Sequence, residues 1–198
     1  MEKLRTFIAI ELPPDVKKEI ASIQGRLKTA GHTFVKWVDP QSIHLTLKFL
    51  GDISPDIVTS LTEAVGKASA ETSAFSLDIS RLGVFPGFAR PRVAWVGVSG
   101  EVKKLGQLQK RIDSALLPLG FKTETRSFNA HLTLARLRDW ASPLDRQSFG
   151  GMIEATRYES GSSFEVDAIS LMKSTLTPGG AIYNCLARVK LKASCQLQ

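Results

Sequence analysis

His44-Leu45-Thr46-Leu47 and His131-Leu132-Thr133-Leu134 are two copies of the same tetrapeptide, and only three histidines occur in the whole chain. Alternating polar and apolar residues predict a strand, on which histidine and threonine share one face while both leucines point to the other. Each copy therefore presents an imidazole and a hydroxyl about 7 Å apart. Two such strands facing one cleft would place an acid, a base and two hydrogen-bond donors around a small anion.

The segments around the two copies also repeat in the same order. A helix precedes each copy, a Ser-Pro helix start follows it, and two strands come after. These features begin at Val16, Ser54, Phe75 and Val93 around the first copy and at Val102, Ser142, Phe164 and Ile182 around the second. We expect a duplication with approximate two-fold symmetry, in which interleaved halves of about 1–90 and 91–198 form one bilobal domain. The predicted fold class is α+β, with two mainly antiparallel sheets lining a central cleft and helices outside.

Glycine and proline set the expected ends of several elements. Gly51 should end the first motif strand. The stretch 83–91 is a loop by its composition, and the last helix, beginning at Ser142-Pro143, should end near Gly150 and Gly151.

The composition suits an ordinary globular protein with an anionic partner. The 198 residues are 43% hydrophobic and 23% charged, and the net charge of +7 fits either a nucleic-acid surface or a solvated basic face. No stretch reaches the roughly 18 to 20 apolar residues of a membrane span, and no signal peptide is evident. Two cysteines, Cys185 and Cys195, make neither a disulfide framework nor a metal motif. We expect a soluble cytoplasmic monomer with free thiols and no membrane partner.

Paired histidines favour acid-base chemistry over metal chemistry here. Two imidazoles can drive displacement at a phosphate if one is neutral and the other charged, while threonine hydroxyls donate to the phosphoryl oxygens. Neither histidine has a carboxylate two or four positions later, so no metal site is predicted. A single histidine on a strand most often serves packing or lies on the surface. Packing alone, however, gives no reason to repeat a histidine and a threonine on the face opposite the leucines.

The sequence resembles the two-histidine (2H) phosphoesterases, LigT-like proteins, and within them the bacterial and archaeal RNA 2′,3′-cyclic phosphodiesterases, formerly called 2′-5′ RNA ligases. The resemblance covers nearly the full chain. The segments that carry it are 5–13, 37–51, 91–98, 131–136 and 174–183.

This resemblance implies hydrolysis of a 2′,3′-cyclic phosphate, on RNA or a ribonucleotide, to a 2′-phosphomonoester without a cofactor or metal. His44 would be the proton donor and His131 the proton acceptor, while Thr46 and Thr133 would hold the phosphoryl oxygens. Two alternatives remain open at this point. One is reversible 2′-5′ ligation of tRNA halves, and the other is a non-catalytic module that binds RNA or nucleotides.

Further candidates surround these four residues. Arg136 matches a family position associated with phosphate binding, but strict alternation turns it away from His131, so it reaches the phosphate only if the strand ends or bulges. Lys48 has the parity of His44 and could bind phosphate or lie at the rim. The aromatic residues Trp37, Phe49 and Phe128 could stack on a base or pack in the core.

Overall fold

The structure is a computed structural model that describes residues 2–125, 127–158, 161–178 and 180–193, so Cys195 lies outside the described residues. Nine strands and four α-helices occur in this part of the chain. The strands are β1 (Leu4–Glu11), β2 (Val35–Trp37), β3 (His44–Ile53), β4 (Phe75–Phe85), β5 (Val93–Gly100), β6 (His131–Leu137), β7 (Ser163–Val166), β8 (Ala168–Thr177) and β9 (Gly180–Lys190). The helices are α1 (Pro14–Lys28), α2 (Val58–Ser69), α3 (Val102–Ala115) and α4 (Pro143–Ala155).

The strands form two antiparallel sheets, which confirms the predicted α+β class. One sheet has the order β3-β1-β8-β9 and the other β2-β6-β5-β4-β7. The two motif strands, β3 and β6, lie in different sheets and contact each other. Leu45 and Leu132 are fully buried in the core, so the strand periodicity places the polar side chains of both motifs on the opposite face.

The halves of the sequence exchange strands between the sheets. β4, from the first half, pairs with β5, whereas β8 and β9, from the second half, lie in the sheet of β1 and β3. Each sheet therefore contains strands from both halves.

Apolar stripes dock the helices onto the sheets. Val16, Ile20, Ile23 and Leu27 of α1 are buried at helical spacing, as the sequence predicts. Each fully buried aliphatic side chain contributes about 1.5–3 kcal/mol relative to an exposed one. The polar cleft faces are thus held by a continuous apolar core outside them. No helix among the described residues is long and apolar enough to cross a membrane.

Two glycines that were predicted to end strands lie inside strands instead. Gly51 lies within β3, paired with Thr6, because a bulge at this point lets the strand continue to Ile53. Gly83 lies within β4, paired with Trp95, and a Cβ there would lie 2.2 Å from the indole ring. These two glycines accommodate a bulge and an aromatic ring rather than ending a strand.

Helix α4 likewise continues through Gly150 and Gly151 to Ala155. A Cβ at Gly150 would lie 1.9 Å from the carbonyl oxygen of Phe88, so the glycine lets the preceding loop pack against the helix. The prediction of a helix ending there was wrong because the small residue serves a tertiary contact.

The start of α4 gives the first testable prediction. Ser142 Oγ accepts a hydrogen bond from the backbone amide of Asp145, whose carboxylate accepts one from the Ser142 amide, which forms a capping box. Ser142→Ala should lower the free energy of unfolding by about 1 kcal/mol in urea denaturation. Ser54 is the matched control, because it begins the corresponding Ser-Pro turn but caps no helix with its side chain. Equal losses in the two variants would contradict this assignment.

Candidate active site

Both motifs line one cavity between the two sheets. The cavity has a volume of about 650 Å³, and its wall includes His44 and Thr46 from β3 and His131 and Thr133 from β6. Arg136 also lines it. The structure therefore brings together these five residues, which the sequence singles out and which come from segments far apart in the chain.

Each histidine is oriented by a backbone carbonyl two residues earlier. His44 Nδ1 lies 2.9 Å from the Ser42 oxygen, and His131 Nδ1 lies 2.7 Å from the Asn129 oxygen. A carbonyl oxygen can only accept, so Nδ1 carries the hydrogen in both rings. Each Nε2 is then an acceptor when its ring is neutral and a donor when the ring is charged. The repeated motif thus supplies two imidazoles whose Nε2 atoms can act as acid or base.

Aromatic side chains hold the two imidazoles on both walls. Phe7 stacks on His44 with ring centroids 4.5 Å apart, and Tyr183 meets the same ring edge-on at 4.9 Å. Phe85 meets His131 edge-on at 4.9 Å, and Trp95 lies 6.4 Å from it. The sequence analysis did not single out these four residues. Each of the four lies on a different strand, so the sequence could identify them only if the order and register of the strands were known.

The surroundings of the two histidines differ in charge. Burial lowers the pKa of His44 and the charge of Lys17 lowers it too, whereas the hydrogen bond to Ser42 and the charge of Glu11 raise it. Glu11 is paired directly with His44 across β1 and β3. Gly97 occupies the corresponding position beside His131. The two copies of the motif therefore differ in their electrostatic setting.

A bulge follows the threonine in each motif strand and reverses the alternation of side chains. In β6 the pairing passes over Leu134, and Arg136, paired with Val93, turns into the cavity. In β3 the pairing passes over Leu47, so Phe49 is paired with Phe7 and lines the cavity. The bulge that Arg136 would need is present, and the corresponding bulge in β3 places Phe49 at the rim, where its side chain is 69% exposed.

The bulge in β3 also shows that the prediction for Lys48 was wrong. Lys48 is paired with the buried Ile8, on the core face of β3. Its ammonium group forms a buried ion pair with Asp113 of α3 and donates to the carbonyl oxygen of Lys122 at 2.8 Å. Lys48 is therefore a structural residue and does not face the cleft.

The remaining aromatic candidates pack against the core. Phe128 packs against the main hydrophobic cluster. Trp37 meets Phe149 edge-on at a centroid distance of 6.4 Å and has the Lys28 ammonium 5.6 Å from its ring, while it also lines a second, neighbouring cavity. Of the three, only Phe49 reaches the cavity that holds the histidines.

The donor set of the cavity suits proton transfer more than metal binding. Among the described residues, no group of three or more histidine, cysteine, aspartate or glutamate side chains could hold a metal ion. The cavity wall includes the imidazoles of His44 and His131, the hydroxyls of Thr46 and Thr133, and the guanidinium of Arg136. These groups can bind an oxyanion and move protons to and from it.

Comparison with known families gives a match over most of the chain. The family model described as LigT like Phosphoesterase matches the sequence twice, over residues 10–95 and 96–183.

Two relatives of similar length carry the name RNA 2′,3′-cyclic phosphodiesterase. The protein from Methanothermobacter thermautotrophicus is 32% identical over 181 residues, covering 91% of this chain and 95% of its own. The protein from Aquifex aeolicus is 32% identical over 191 residues, covering 92% and 95%.

Solved structures share the fold. The structure of the protein TT0787 from Thermus thermophilus superposes with a TM-score of 0.77 at 24% identity, covering 96% of this chain and 100% of that one. Apo LigT from E. coli superposes with a TM-score of 0.75 at 25% identity, covering 97% and 99%. The E. coli protein has also been solved with 3′-AMP; that structure has a TM-score of 0.72 at 26% identity and covers 96% and 99%.

Proposed function

This chain belongs to the LigT-like phosphoesterase family, and on that premise we propose that it hydrolyses the 2′,3′-cyclic phosphate of RNA ends or nucleosides to a 2′-phosphomonoester. The observation that carries the proposal is the meeting of both His-Leu-Thr-Leu motifs in one cavity, with each Nδ1 held by a carbonyl. The names of the relatives from Methanothermobacter and Aquifex support the same substrate class. The enzyme acts as a monomer in the cytoplasm in this proposal.

The proposed reaction divides the proton transfers between the two rings. Neutral His131 accepts a proton at Nε2 from a water molecule as the water oxygen bonds to phosphorus. The bond from phosphorus to O3′ breaks, and charged His44 gives its Nε2 proton to the departing oxygen. The product keeps its phosphate on O2′. Both carbonyl contacts to Nδ1 persist throughout, since that nitrogen is protonated in the neutral and charged rings alike.

The other groups of the cavity bind the phosphate and the nucleoside. Thr46 and Thr133 lie on the cleft face beside each histidine and donate to the non-bridging oxygens, where negative charge grows in the transition state. Arg136 adds a guanidinium to the same oxygens. Phe49, at the open rim, provides a face for the terminal base.

Product analysis tests this function directly. Purified protein is incubated with a nucleoside 2′,3′-cyclic phosphate in the presence of EDTA, and ³¹P NMR distinguishes the 2′- from the 3′-phosphate. We expect the 2′-phosphate, with a rate unchanged by the chelator. Loss of activity on chelation, or a 3′-phosphate product, would contradict the proposal. Joining of RNA halves without net hydrolysis would favour ligation instead.

The pH dependence of the reaction should identify the contribution of His44. We expect a bell-shaped profile of kcat/KM, with one limb belonging to His44 and lying below the pH of about 6.5 at which an ordinary imidazole titrates. Glu11→Gln removes a charge that raises the pKa of His44, so it should move this limb to lower pH. Lys17→Met removes a charge that lowers the pKa and should move the limb to higher pH. Shifts in the same direction for both variants would contradict the assignment.

A further inference from the structure

A second cavity of about 640 Å³ adjoins the first on the side of α1. The two cavities share His44, Arg136 and Tyr183 in their walls. They therefore form one continuous groove with the catalytic histidine near its middle. A nucleoside cyclic phosphate bound at the histidines and threonines leaves this second part of the groove without an assigned role.

Two cations stand side by side in the wall of the second cavity. Lys36 of β2 is paired directly with Arg136 of β6, so both side chains project from the same face of the sheet. Like charges directly opposite each other in a sheet are destabilising. Within the described ranges, neither side chain forms an ion pair with a carboxylate. The pair is thus a local concentration of positive charge that an anion would relieve.

The other charged groups of this cavity already have partners. Lys17 Nζ donates to the Gln41 carbonyl oxygen at 2.9 Å, and the Asp39 carboxylate accepts from the Gln41 amide at 3.0 Å. The Glu11 carboxylate accepts a hydrogen bond from the Ser170 hydroxyl. The side chains of Lys36 and Arg136 therefore remain to bind an anionic ligand.

The far end of the groove exposes two large apolar side chains. Phe49 and Leu176, which line the first cavity, have side chains that are 69% and 67% exposed. Apolar surface at one end suits a nucleobase, and cationic surface at the other suits a phosphate. These two surfaces together define the direction in which an RNA strand would bind along the groove.

We propose that the second cavity binds the sugar-phosphate chain that precedes the terminal nucleotide of an RNA substrate, with Lys36 contacting the first upstream phosphate. This inference rests on the proposed function for its catalytic readout. It assigns the enzyme a preference for an RNA strand over a mononucleotide. Arg136 lies at the junction between the cyclic phosphate and the upstream phosphate.

Two substrates separate the upstream contact from the chemistry. A nucleoside 2′,3′-cyclic phosphate has no upstream phosphate, whereas a trinucleotide ending in a 2′,3′-cyclic phosphate has two. Lys36→Met should raise KM for the trinucleotide about three- to tenfold, while kcat/KM for the mononucleotide stays within about twofold of the wild type. For trinucleotide binding, the slope of the logarithm of the binding constant against the logarithm of the salt concentration should become shallower by about 0.7. This is the change for one lost phosphate contact to a single strand.

Lys18→Met is the matched control. It removes the same charge from α1, where Lys18 is exposed and pairs with Asp15 at 3.2 Å, outside both cavities. This variant should treat both substrates as the wild type does. Lys36→Met should also leave the thermal midpoint unchanged or raise it, because it removes a like-charge pair. A fall in the midpoint would indicate a structural role instead.

Equilibrium binding tests the inference independently of catalysis. A single-stranded RNA trinucleotide ending in a 2′-phosphate and a nucleoside 2′-phosphate are titrated by calorimetry. We expect Lys36→Met to weaken binding of the trinucleotide alone. Equal losses for both ligands, or no loss for either, would overturn the inference even if the enzyme hydrolyses cyclic phosphates. Absence of hydrolysis with selective loss of trinucleotide binding would overturn the proposed function alone.

Discussion

Alanine at His44 or at His131 lowers kcat for a nucleoside 2′,3′-cyclic phosphate by about 10²- to 10⁴-fold, the usual contribution of one general acid or base. Each substitution removes a ring that stands in the cavity with Nδ1 bound to a carbonyl. The rings act in one reaction step, so the double variant should be little slower than the slower single variant. Steady-state hydrolysis at saturating substrate measures all three.

His32→Ala is the control for these variants. His32 is the third histidine of the chain and packs against Phe34 and Phe149 at centroid distances of 5.0 and 5.6 Å, away from the motif strands. Its removal should leave kcat within about twofold. A His44 or His131 variant that retains more than about a tenth of the activity would contradict the acid-base roles.

The leaving group distinguishes the acid from the base. In an aryl phosphodiester such as a p-nitrophenyl ester, the p-nitrophenolate leaving group departs without needing a proton. The loss of a general acid therefore matters less for this substrate. The His44 variant should therefore recover much of its relative activity on this substrate, while the His131 variant should not. The reverse pattern would exchange the two roles.

Removal of the Asp113 carboxylate should have the largest effect on stability. Lys48 and Asp113 have side chains only 8% and 10% exposed, and their ion pair joins β3 to α3. Asp113 also accepts from the amide of Glu124, and Lys48 donates to the carbonyl of Lys122, so the pair holds the segment after α3. Asp113→Ala leaves a buried ammonium without its counter-ion, and we expect a loss of about 3–5 kcal/mol in the free energy of unfolding.

A double replacement distinguishes two causes of the lost stability in Asp113→Ala, namely the unpaired charge of Lys48 and the lost packing of the side chain. Lys48→Met with Asp113→Leu removes both charges and keeps apolar volume, so it should regain most of the stability lost in Asp113→Ala. Asp15→Ala, which breaks the exposed pair with Lys18, should change stability by less than about 1 kcal/mol. Urea denaturation with fitted midpoints and slopes measures each variant. A loss below about 1 kcal/mol in Asp113→Ala would mean that water reaches the pair.

The alternation of side chains predicts the orientation of all four residues of each motif correctly, but it fails for the residues that follow the motif. His44 and Thr46 share the cleft face, and Leu45 and Leu47 are buried, as a period of two requires. Beyond Leu47, however, the parity reverses. A bulge is a property of the pairing with the neighbouring strand, so the residues of β3 alone do not disclose it.

The misplacement of Lys48 and the conditional placement of Arg136 have this one cause. The two bulges pass over Leu47 and Leu134, which are equivalent leucines of the two motifs. The repeat in the sequence therefore indicates that a bulge in one motif strand has a counterpart in the other. The duplication predicts which segments correspond, whereas the exchange of strands between sheets depends on contacts distant in sequence. Phe7 and Trp95 could be recognised as partners of the histidines only once those contacts were known.

The exchange of strands limits how far the catalytic groove can widen. The chain passes from one sheet to the other between β1 and β2, β2 and β3, β3 and β4, and β7 and β8. At the last crossing a single residue, Asp167, separates the two strands, and its carbonyl oxygen accepts from the Leu191 amide. Four connections between the two walls, the last of them one residue long, restrain their separation. We therefore expect RNA to enter lengthwise through the open ends, with little reorganisation of the protein between empty and occupied states.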